Sequence, residues 1–288
     1  MSNISMNLVV QAPLQARPDP GLLDVLGKLA GAPAMVALGS HVWRCGPVSA
    51  DAGMQRSVTA RALAEGLDVA FVPAGRQLSD FKLLVMDMDS TLITIECIDE
   101  IADMQGLKPQ VAALTEAAMR GELPFRESLM RRVALLEGLD ASALKRVIDE
   151  RLQLSAGAEA MLAAVQAAGL KTLLVSGGFT FFTEHMRDRL GLDFTRANQL
   201  EIINGKLTGR VLGDIVDAEA KQETVQDICA TLGITPAQTI VMGDGANDLK
   251  MMAIAGISVA FHAKPIVQEQ ADVALNFVGM DGILALFE

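Results

Sequence analysis

A short apolar run that ends in two acidic residues constrains this chain more than any other segment. Residues 83–86, Leu-Leu-Val-Met, lead directly into Asp87-Met88-Asp89. Successive side chains of an extended chain point to opposite faces, so Asp87 and Asp89 point the same way. If the run is a buried parallel strand, both carboxylates emerge at its carboxyl end, where open α/β sheets bind their ligands. Two carboxylates so close repel each other unless a cation lies between them, so the pair also predicts a metal site.

From residue 81 onward, short apolar runs alternate with helical stretches. The apolar runs that we interpret as strands lie at 83–86, 172–175, 239–242, 257–260 and 273–275. This alternation predicts an α/β fold, a Rossmann-like parallel sheet with helices on both faces. Residues 98–154 contain no strand candidate, and we expect them to form a helical cap over the carboxyl end of the first strand. Residues 200–211 have two strand-like arms around Asn204-Gly205, which predicts a tight hairpin.

The first 79 residues are predicted to form a separate, small α+β domain. Their elements follow the order β-α-β-β-α-β, at residues 6–11, 21–29, 35–38, 42–45, 58–67 and 68–72. This order is typical of a ferredoxin-like sandwich. The segment 73–77, Pro-Ala-Gly-Arg-Gln, is interpreted as the link to a second domain at 80–288.

Charge and composition exclude several classes of partner. The chain of 288 residues has 24 Lys and Arg against 35 Asp and Glu, a net charge of −11, and no basic cluster. This argues against nucleic acid or an anionic membrane as the main partner. No stretch is long and apolar enough to cross a bilayer, and no basic leader precedes an apolar core at the start. The cysteines, Cys45, Cys97 and Cys229, are widely spaced and without metal-site spacing, so we expect reduced thiols and a cytoplasmic location.

Three further polar groups are placed where they could join the acidic pair. Ser176-Gly177-Gly178 follows an apolar run, Lys221 begins a helix, and Gly243-Asp244-Gly245-Ala246-Asn247-Asp248 follows another run. Glycine lets backbone approach a ligand, and a hydroxyl beside free N–H groups suits phosphate oxygens. Carboxylates with water and phosphate as co-ligands are what Mg²⁺ prefers. Each group alone is compatible with a solvated turn or a surface charge, but their joint placement predicts one site.

These motifs in combination resemble those of the haloacid dehalogenase-like phosphatases and, within them, the phosphoserine phosphatase family. The resemblance covers residues from about 81 to 288. It implies that Asp87 is the nucleophile that accepts the phosphoryl group. It also implies that Asp89 protonates the leaving serine oxygen and then deprotonates the attacking water.

The same resemblance implies the binding groups around these two acids. Ser176 and Gly177 bind phosphate oxygens, and Lys221 offsets the negative charge of Asp87 and the phosphate. Asn247 faces the phosphate or orders the lysine. Mg²⁺ is the implied cofactor, and its implied ligands are Asp87, the backbone carbonyl of Asp89 and Asp244, with Asp248 supporting the metal through its water.

Substrate recognition is implied for the predicted cap. L-phosphoserine carries an ammonium and a carboxylate, and Glu96 and Arg132 match the family positions that meet them. The planar fork of arginine binds carboxylate through two hydrogen bonds. Met119 and Phe125 match residues that cover the substrate. From the residues alone, Glu96 could equally be a charge at a helix start and Arg132 a surface residue.

The resemblance implies hydrolysis of O-phospho-L-serine, the last step of serine biosynthesis in the family. A phosphotransferase or another small-molecule phosphatase with the same site is the alternative. The N-terminal unit resembles the ACT fold, which implies an amino-acid effector such as serine. A structural or dimerising role, within a homodimer, is the other interpretation of this unit.

Overall fold

The computed structural model of the chain describes residues 5–32, 34–48, 51–119 and 123–288, and the side chains of residues 116–119 lie outside that description. Among the described residues, no helix combines the length and the apolar character that crossing a membrane requires.

The N-terminal segment folds as a four-stranded antiparallel sheet with two helices. Its elements are β1 (Met6–Gln11), α1 (Pro20–Leu29), β2 (Val36–Ala37), β3 (Val42–Val48), α2 (Ala52–Leu63) and β4 (Asp68–Pro73). The strand order is β2-β3-β1-β4, which confirms the ferredoxin-like prediction. Helix α2 begins six residues before the predicted 58–67, because Asp51 caps it by accepting a 2.7 Å hydrogen bond from the Met54 N–H.

Alternate residues of β1 serve the two faces of this sheet. Leu8 and Val10 pack with residues of both helices, among them Leu26 and Val58, in one apolar core.

Two polar side chains of the N-terminal segment form hydrogen bonds with the last part of the chain. Arg44 donates to the carbonyl groups of Ala285 and Phe287 at 2.9 and 2.6 Å, and Asp68 accepts from the N–H groups of residues 276–278 at 2.8 to 3.0 Å.

The remaining strands form a seven-stranded sheet. They are β5 (Leu83–Met86), β6 (Lys171–Phe179), β7 (Phe194–Ile203), β8 (Lys206–Leu212), β9 (Thr239–Gly243), β10 (Ile257–Phe261) and β11 (Val273–Leu275). Their order is β11-β10-β9-β5-β6-β7-β8. Strand β10 pairs in parallel with β9 and β11, and β6 pairs in parallel with β7. Strands β7 and β8 form an antiparallel pair at the edge of the sheet. The predicted α/β fold is therefore confirmed.

Helices occupy the segments between these strands. They are α3 (Cys97–Asp103), α4 (Lys108–Met119), α5 (Phe125–Ala134), α6 (Ser142–Glu150), α7 (Ala158–Ala167), α8 (Thr180–Leu190), α9 (Ala218–Leu232), α10 (Leu249–Met252) and α11 (Pro265–Gln270). The first four coincide with the segment predicted as a helical cap, 98–154, except that α3 begins one residue earlier, at Cys97. The chain divides into two compact units, one of Met1–Leu84, Ala156–Leu170 and Ala237–Glu288, the other of Val85–Ser155 and Lys171–Pro236.

Strand β7 differs most from the sequence-based expectation. The hairpin is present, with Asn204 and Gly205 at φ of 51° and 75° in its turn. Its first arm, however, begins at Phe194 and pairs in parallel with β6, where no strand was predicted. Residues 195–198, Thr-Arg-Ala-Asn, lack the apolar run that marks a buried strand. The start of β7 therefore could not be predicted from the sequence.

The three cysteines are free and buried. Cys45 lies in β3, Cys97 begins α3 and Cys229 lies in α9. Burial raises the pKa of all three thiols, and most strongly that of Cys97, where the Asp89 carboxylate adds to the effect. All three are therefore protonated near neutral pH and poorly nucleophilic.

Candidate functional site

Asp87 follows the buried strand β5 and forms an ion pair with Lys221. The Lys221 Nζ lies 2.8 Å from the Asp87 Oδ1, and the two side chains are 0% and 7% exposed. The same carboxylate oxygen accepts a 2.7 Å hydrogen bond from the Met88 N–H. A lysine is almost never fully buried unless it is paired. The predicted nucleophile and the predicted lysine, 134 positions apart in the sequence, are therefore in direct contact.

The start of helix α9 fixes the position of Lys221. Asp217 is the N-cap residue, and its Oδ1 accepts a hydrogen bond from the Ala220 N–H at 3.1 Å. The Lys221 N–H donates to the Asp217 carbonyl at 2.9 Å, so the lysine lies in the first turn. The capped turn thus directs the ammonium group at Asp87.

Asp89 occupies an environment that differs from that of Asp87. Its Oδ1 accepts from the Cys97 N–H at 3.0 Å, and the Ser176 hydroxyl lies 3.4 Å from its Oδ2. Burial raises the pKa of Asp89, although the hydrogen bonds from Cys97, the charge of Lys221 and the contact with Ser176 act in the opposite direction. Two neighbouring carboxyl groups with different surroundings can serve as nucleophile and proton donor.

The Ser176-Gly177-Gly178 segment lies at the end of β6, where a side chain at Gly178 has no space and one at Gly177 would be tight. A Cβ at Gly178 would lie 2.5 Å from the Asp89 Oδ2 and 3.0 Å from the Ser176 Oγ. A Cβ at Gly177 would lie 3.0 Å from the ring of Phe125, which places this predicted cap residue beside the strand end. The Ser176 Oγ accepts a 2.8 Å hydrogen bond from the Gly178 N–H. At Gly178, glycine is required by the close approach of Asp89 and not by the backbone angle.

The two predicted recognition residues lie close enough for the Glu96 carboxylate to act on the pKa of Arg132. The Ser90 hydroxyl donates to the Glu96 Oε1 at 2.7 Å. The Nε of Arg132 is buried, and within the described ranges of the chain it has no hydrogen-bond partner. Burial lowers the pKa of Arg132, while the carboxylates of Asp99, Glu96 and Asp89 act in the opposite direction. A buried arginine donor without a partner suits an incoming carboxylate.

Met119 is the last residue of α4, and its side chain lies outside the described residues. Its predicted role in covering the substrate therefore stays a prediction. Helix α5 contributes the other predicted covering residue, Phe125, at its first position.

The second acidic segment follows β9. Asp248 is fully buried, and its Oδ2 accepts from the Gly245 N–H at 3.1 Å. A Cβ at Gly243 would lie 2.4 Å from that Oδ2, so this glycine too is required. Asn247 lies in the same turn and is partly exposed. Among the side chains that the structure describes, Asp87, Asp244 and Asp248 are the acidic group that could hold a metal ion. An all-carboxylate oxygen set fits a hard cation such as Mg²⁺.

Sequence reasoning gave two residues of this region no role of their own. Gly178 was named only as part of a motif, yet a Cβ there would lie 2.5 Å from the Asp89 Oδ2. Asn198, on β7, is 1% exposed and hydrogen-bonds backbone groups on both sides of the site. Asparagine is depleted in strands, so an asparagine inside a strand is the signal, but it is readable only once β7 is known to be a strand.

Comparison with known proteins agrees with this geometry. The sequence pattern of the haloacid dehalogenase-like hydrolase family matches residues 84–253. A phosphoserine phosphatase of Polaromonas sp. is 55% identical over 229 residues, which cover 78% of this chain and 97% of that relative.

Solved structures extend the likeness beyond the catalytic region. A haloacid dehalogenase family hydrolase from Salmonella enterica serovar Typhi superposes with a TM-score of 0.88 at 30% identity, over 98% of this chain and 99% of the other. A phospho-aspartyl intermediate analogue of phosphoserine phosphatase superposes with a TM-score of 0.68 at 38% identity, over 72% and 99%. The chain therefore belongs to the haloacid dehalogenase-like hydrolases.

Proposed function

We propose that this protein is a phosphoserine phosphatase, which hydrolyses O-phospho-L-serine to L-serine and phosphate. The observation that carries the proposal is the buried pair of Asp87 and Lys221 beside the differently placed carboxyl group of Asp89. The identity of 55% with a named phosphoserine phosphatase points the same way.

In the proposed reaction, an Asp87 oxygen attacks phosphorus in line with the serine oxygen. The P–O bond to serine breaks, and Asp89 gives its proton to the leaving oxygen. Asp89 then takes a proton from water, whose oxygen attacks the aspartyl-phosphate and releases phosphate. Such transfer depends mainly on placement and on neutralised oxygens. Lys221 and the donors around Ser176 supply fixed positive charge and hydrogen bonds.

The metal belongs to the same proposal. Asp87, Asp244 and Asp248, with the backbone carbonyl of Asp89, would hold Mg²⁺, which when bound supplies positive charge to the transferring phosphoryl group. Asn247 would lie toward the phosphate or Lys221. The role of the protein is to fix the acids of this set: Asp248 by the Gly245 N–H, and Asp87 by the Met88 N–H and Lys221.

The cap residues are proposed to select the amino-acid part of the substrate. Arg132 would pair with the substrate carboxylate, and its buried Nε, which no described residue engages, offers a donor. Glu96, held by Ser90, would accept from the ammonium. Phe125 and Met119 would cover the substrate and exclude water. A phosphotransferase that gives the phosphoryl group to an alcohol instead of water needs the same residues and is the alternative reading.

The test is phosphate release from L-phosphoserine, phosphothreonine, phosphoethanolamine and a sugar phosphate, with Mg²⁺ and after chelation. We expect a preference for L-phosphoserine that D87N and chelation both abolish. The exposed Asp188→Asn on α8 is the matched control and should leave activity unchanged.

Three outcomes would change the proposal. Equal rates with phosphoethanolamine, which lacks the carboxylate, would remove the role of Arg132. Full activity in D87N would remove the nucleophile. A rate that rises with an added alcohol, with the phosphorylated alcohol as product, would favour the phosphotransferase.

We also propose an amino-acid effector, with serine as the candidate, for the N-terminal unit, and a cytoplasmic location, which three reduced thiols favour. The unit has a cleft of about 260 Å³ that includes Arg17, Asp19, Arg61 and Glu65 in its lining. Charges of both signs suit a zwitterion. A structural role, or a dimerising role in a homodimer, is the alternative.

A further inference from the structure

Asn198 connects two backbone segments that carry different parts of the candidate site. Its Nδ2 donates to the Gly177 carbonyl at 2.8 Å, and its Oδ1 accepts from the Val216 N–H at 2.8 Å. The side chain is 1% exposed, so no water competes for these bonds. The carbonyl requires a donor and the N–H an acceptor, so both polar atoms of the Asn198 amide are engaged.

The first bond controls the surroundings of Ser176. The Gly177 carbonyl belongs to the same planar peptide group as the Gly178 N–H, so holding the carbonyl fixes the direction of the N–H. That N–H donates to the Ser176 Oγ at 2.8 Å, and the Ser176 Oγ lies 3.4 Å from the Asp89 Oδ2. With its lone pair engaged by Gly178, the Ser176 hydroxyl is left to direct its hydrogen at Asp89 or at a phosphate oxygen.

The second bond controls the start of helix α9. Val216 directly precedes Asp217, whose side chain caps the helix by accepting from the Ala220 N–H. Lys221 follows in the same turn and reaches Asp87 with its Nζ at 2.8 Å. A shift of Val216 would therefore move the cap, the first turn and the ammonium together.

We propose that Asn198 is a positioning residue, which sets the separation between the Ser176 segment and the Lys221 helix. The inference rests on the proposed function, because these two segments carry the phosphate-binding hydroxyl and the neutralising charge. Only a flat group with a donor and an acceptor satisfies both backbone groups. Aspartate keeps the acceptor but loses the donor, and leucine, of similar size, loses both.

Thr172 provides a matched control at the other end of the same two strands. Its hydroxyl and N–H bond the Asp193 carboxylate at 3.0 and 2.9 Å, joining the start of β6 to the residue before β7. Thr172 is fully buried. T172V therefore removes a buried polar link between β6 and β7 without touching the candidate site.

The experiment compares N198L, N198D and T172V in the full chain by steady-state kinetics, by calorimetric binding of inorganic phosphate with Mg²⁺ present, and by thermal unfolding. Displacing catalytic groups by about 1 Å can cost about 100-fold in rate. We expect kcat to fall about 10-fold to 100-fold in N198L, and phosphate binding to weaken about 10-fold. N198D should lose phosphate affinity as well, because the Gly177 carbonyl is no longer held. T172V should lower Tm comparably but keep kcat within about twofold.

Two results would overturn the inference. In one, N198L and N198D are less stable but keep kcat and phosphate affinity within about twofold of wild type. In the other, T172V loses as much activity as N198L, which would make the effect a general one of strand packing. If N198L fails to fold, the test rests on N198D, which differs from wild type by one heavy atom. If the wild-type protein releases no phosphate from L-phosphoserine, the proposed function fails, whereas phosphate affinity still tests the placement by Asn198.

Discussion

At the residue scale, the geometry of the site depends on residues whose substitution would displace a neighbouring group. Gly178 is an example, since its backbone angle does not need glycine. Its requirement comes from the Asp89 carboxylate, which approaches the backbone from another part of the chain. A buried lysine that contacts a buried carboxylate is a second example, because removing either partner leaves the other charge buried without this ion pair.

Gly178→Ala is predicted to reduce kcat about 100-fold. The added methyl group would lie 2.5 Å from the Asp89 Oδ2 and 3.0 Å from the Ser176 Oγ, so one of these catalytic groups must move by several tenths of an ångström. Steady-state assays on L-phosphoserine measure the effect. Gly39→Ala is the control, because a Cβ there meets nothing within 4 Å, and it should be neutral. An active G178A with normal kcat would mean that Asp89 is free to move without cost.

The site residues within the motifs were predictable from the sequence. A residue such as Asn198, which holds the site by hydrogen-bonding backbone groups, was not. Asp87, Ser176 and Lys221 bear functional groups at strand ends or helix starts, which is a pattern that one sequence can reveal. Asn198 has no such pattern. It acts on a carbonyl 21 positions before it and an N–H 18 positions after it, and both partners became visible only with the register of β7.

At the element scale, β4 is joined to the segment after β11 by one carboxylate. The backbone N–H groups of Asn276, Phe277 and Val278 all donate to Asp68. Burial raises the pKa of Asp68, and these hydrogen bonds act against that effect. No sequence pattern predicted this tie, because its partners are backbone groups more than 200 positions away.

Asp68→Ala is predicted to lower the free energy of unfolding by about 3 kcal/mol, since it leaves three partly buried backbone N–H groups without this acceptor. Urea titration followed by circular dichroism measures this loss. Asn7→Ala, which removes an exposed hydrogen bond to Glu288, is the control and should change stability by less than about 0.5 kcal/mol. The kcat of D68A should be normal, because Asp68 lies outside the candidate site. A variant as stable as wild type would show that water replaces the carboxylate.

At the scale of the whole molecule, the predicted division at residue 79 stays a prediction. The four-stranded sheet is separate from the seven-stranded one, as the change of pattern in the sequence indicated. Yet Asp68 and Arg44 bond the C-terminal residues, so deleting residues 1–79 would also expose partners in 276–288. A test of regulation therefore belongs in the full chain.

L-serine is predicted to inhibit the full-length enzyme in two ways, as a competing product and as an effector in the N-terminal cleft. Arg61→Ala should weaken the noncompetitive part of this inhibition, so that half-inhibition needs about 10-fold more serine. The reason is that a guanidinium–carboxylate pair contributes on the order of 1.5–3 kcal/mol to the free energy of binding. Arg56→Ala on the same helix, whose side chain is not in the cleft lining, is the control. Purely competitive inhibition, unchanged in R61A, would leave the unit with a structural role.

The three buried thiols can report how readily the surrounding structure opens locally. A thiol that is protonated and inaccessible reacts with a labelling reagent only while its surroundings are transiently open, so its labelling rate measures the free energy of that opening. Cys45, Cys97 and Cys229 lie in the small sheet, at the start of α3 and in the lysine-bearing helix. Labelling the native protein and locating each modified cysteine would thus rank the opening of three regions without any substitution.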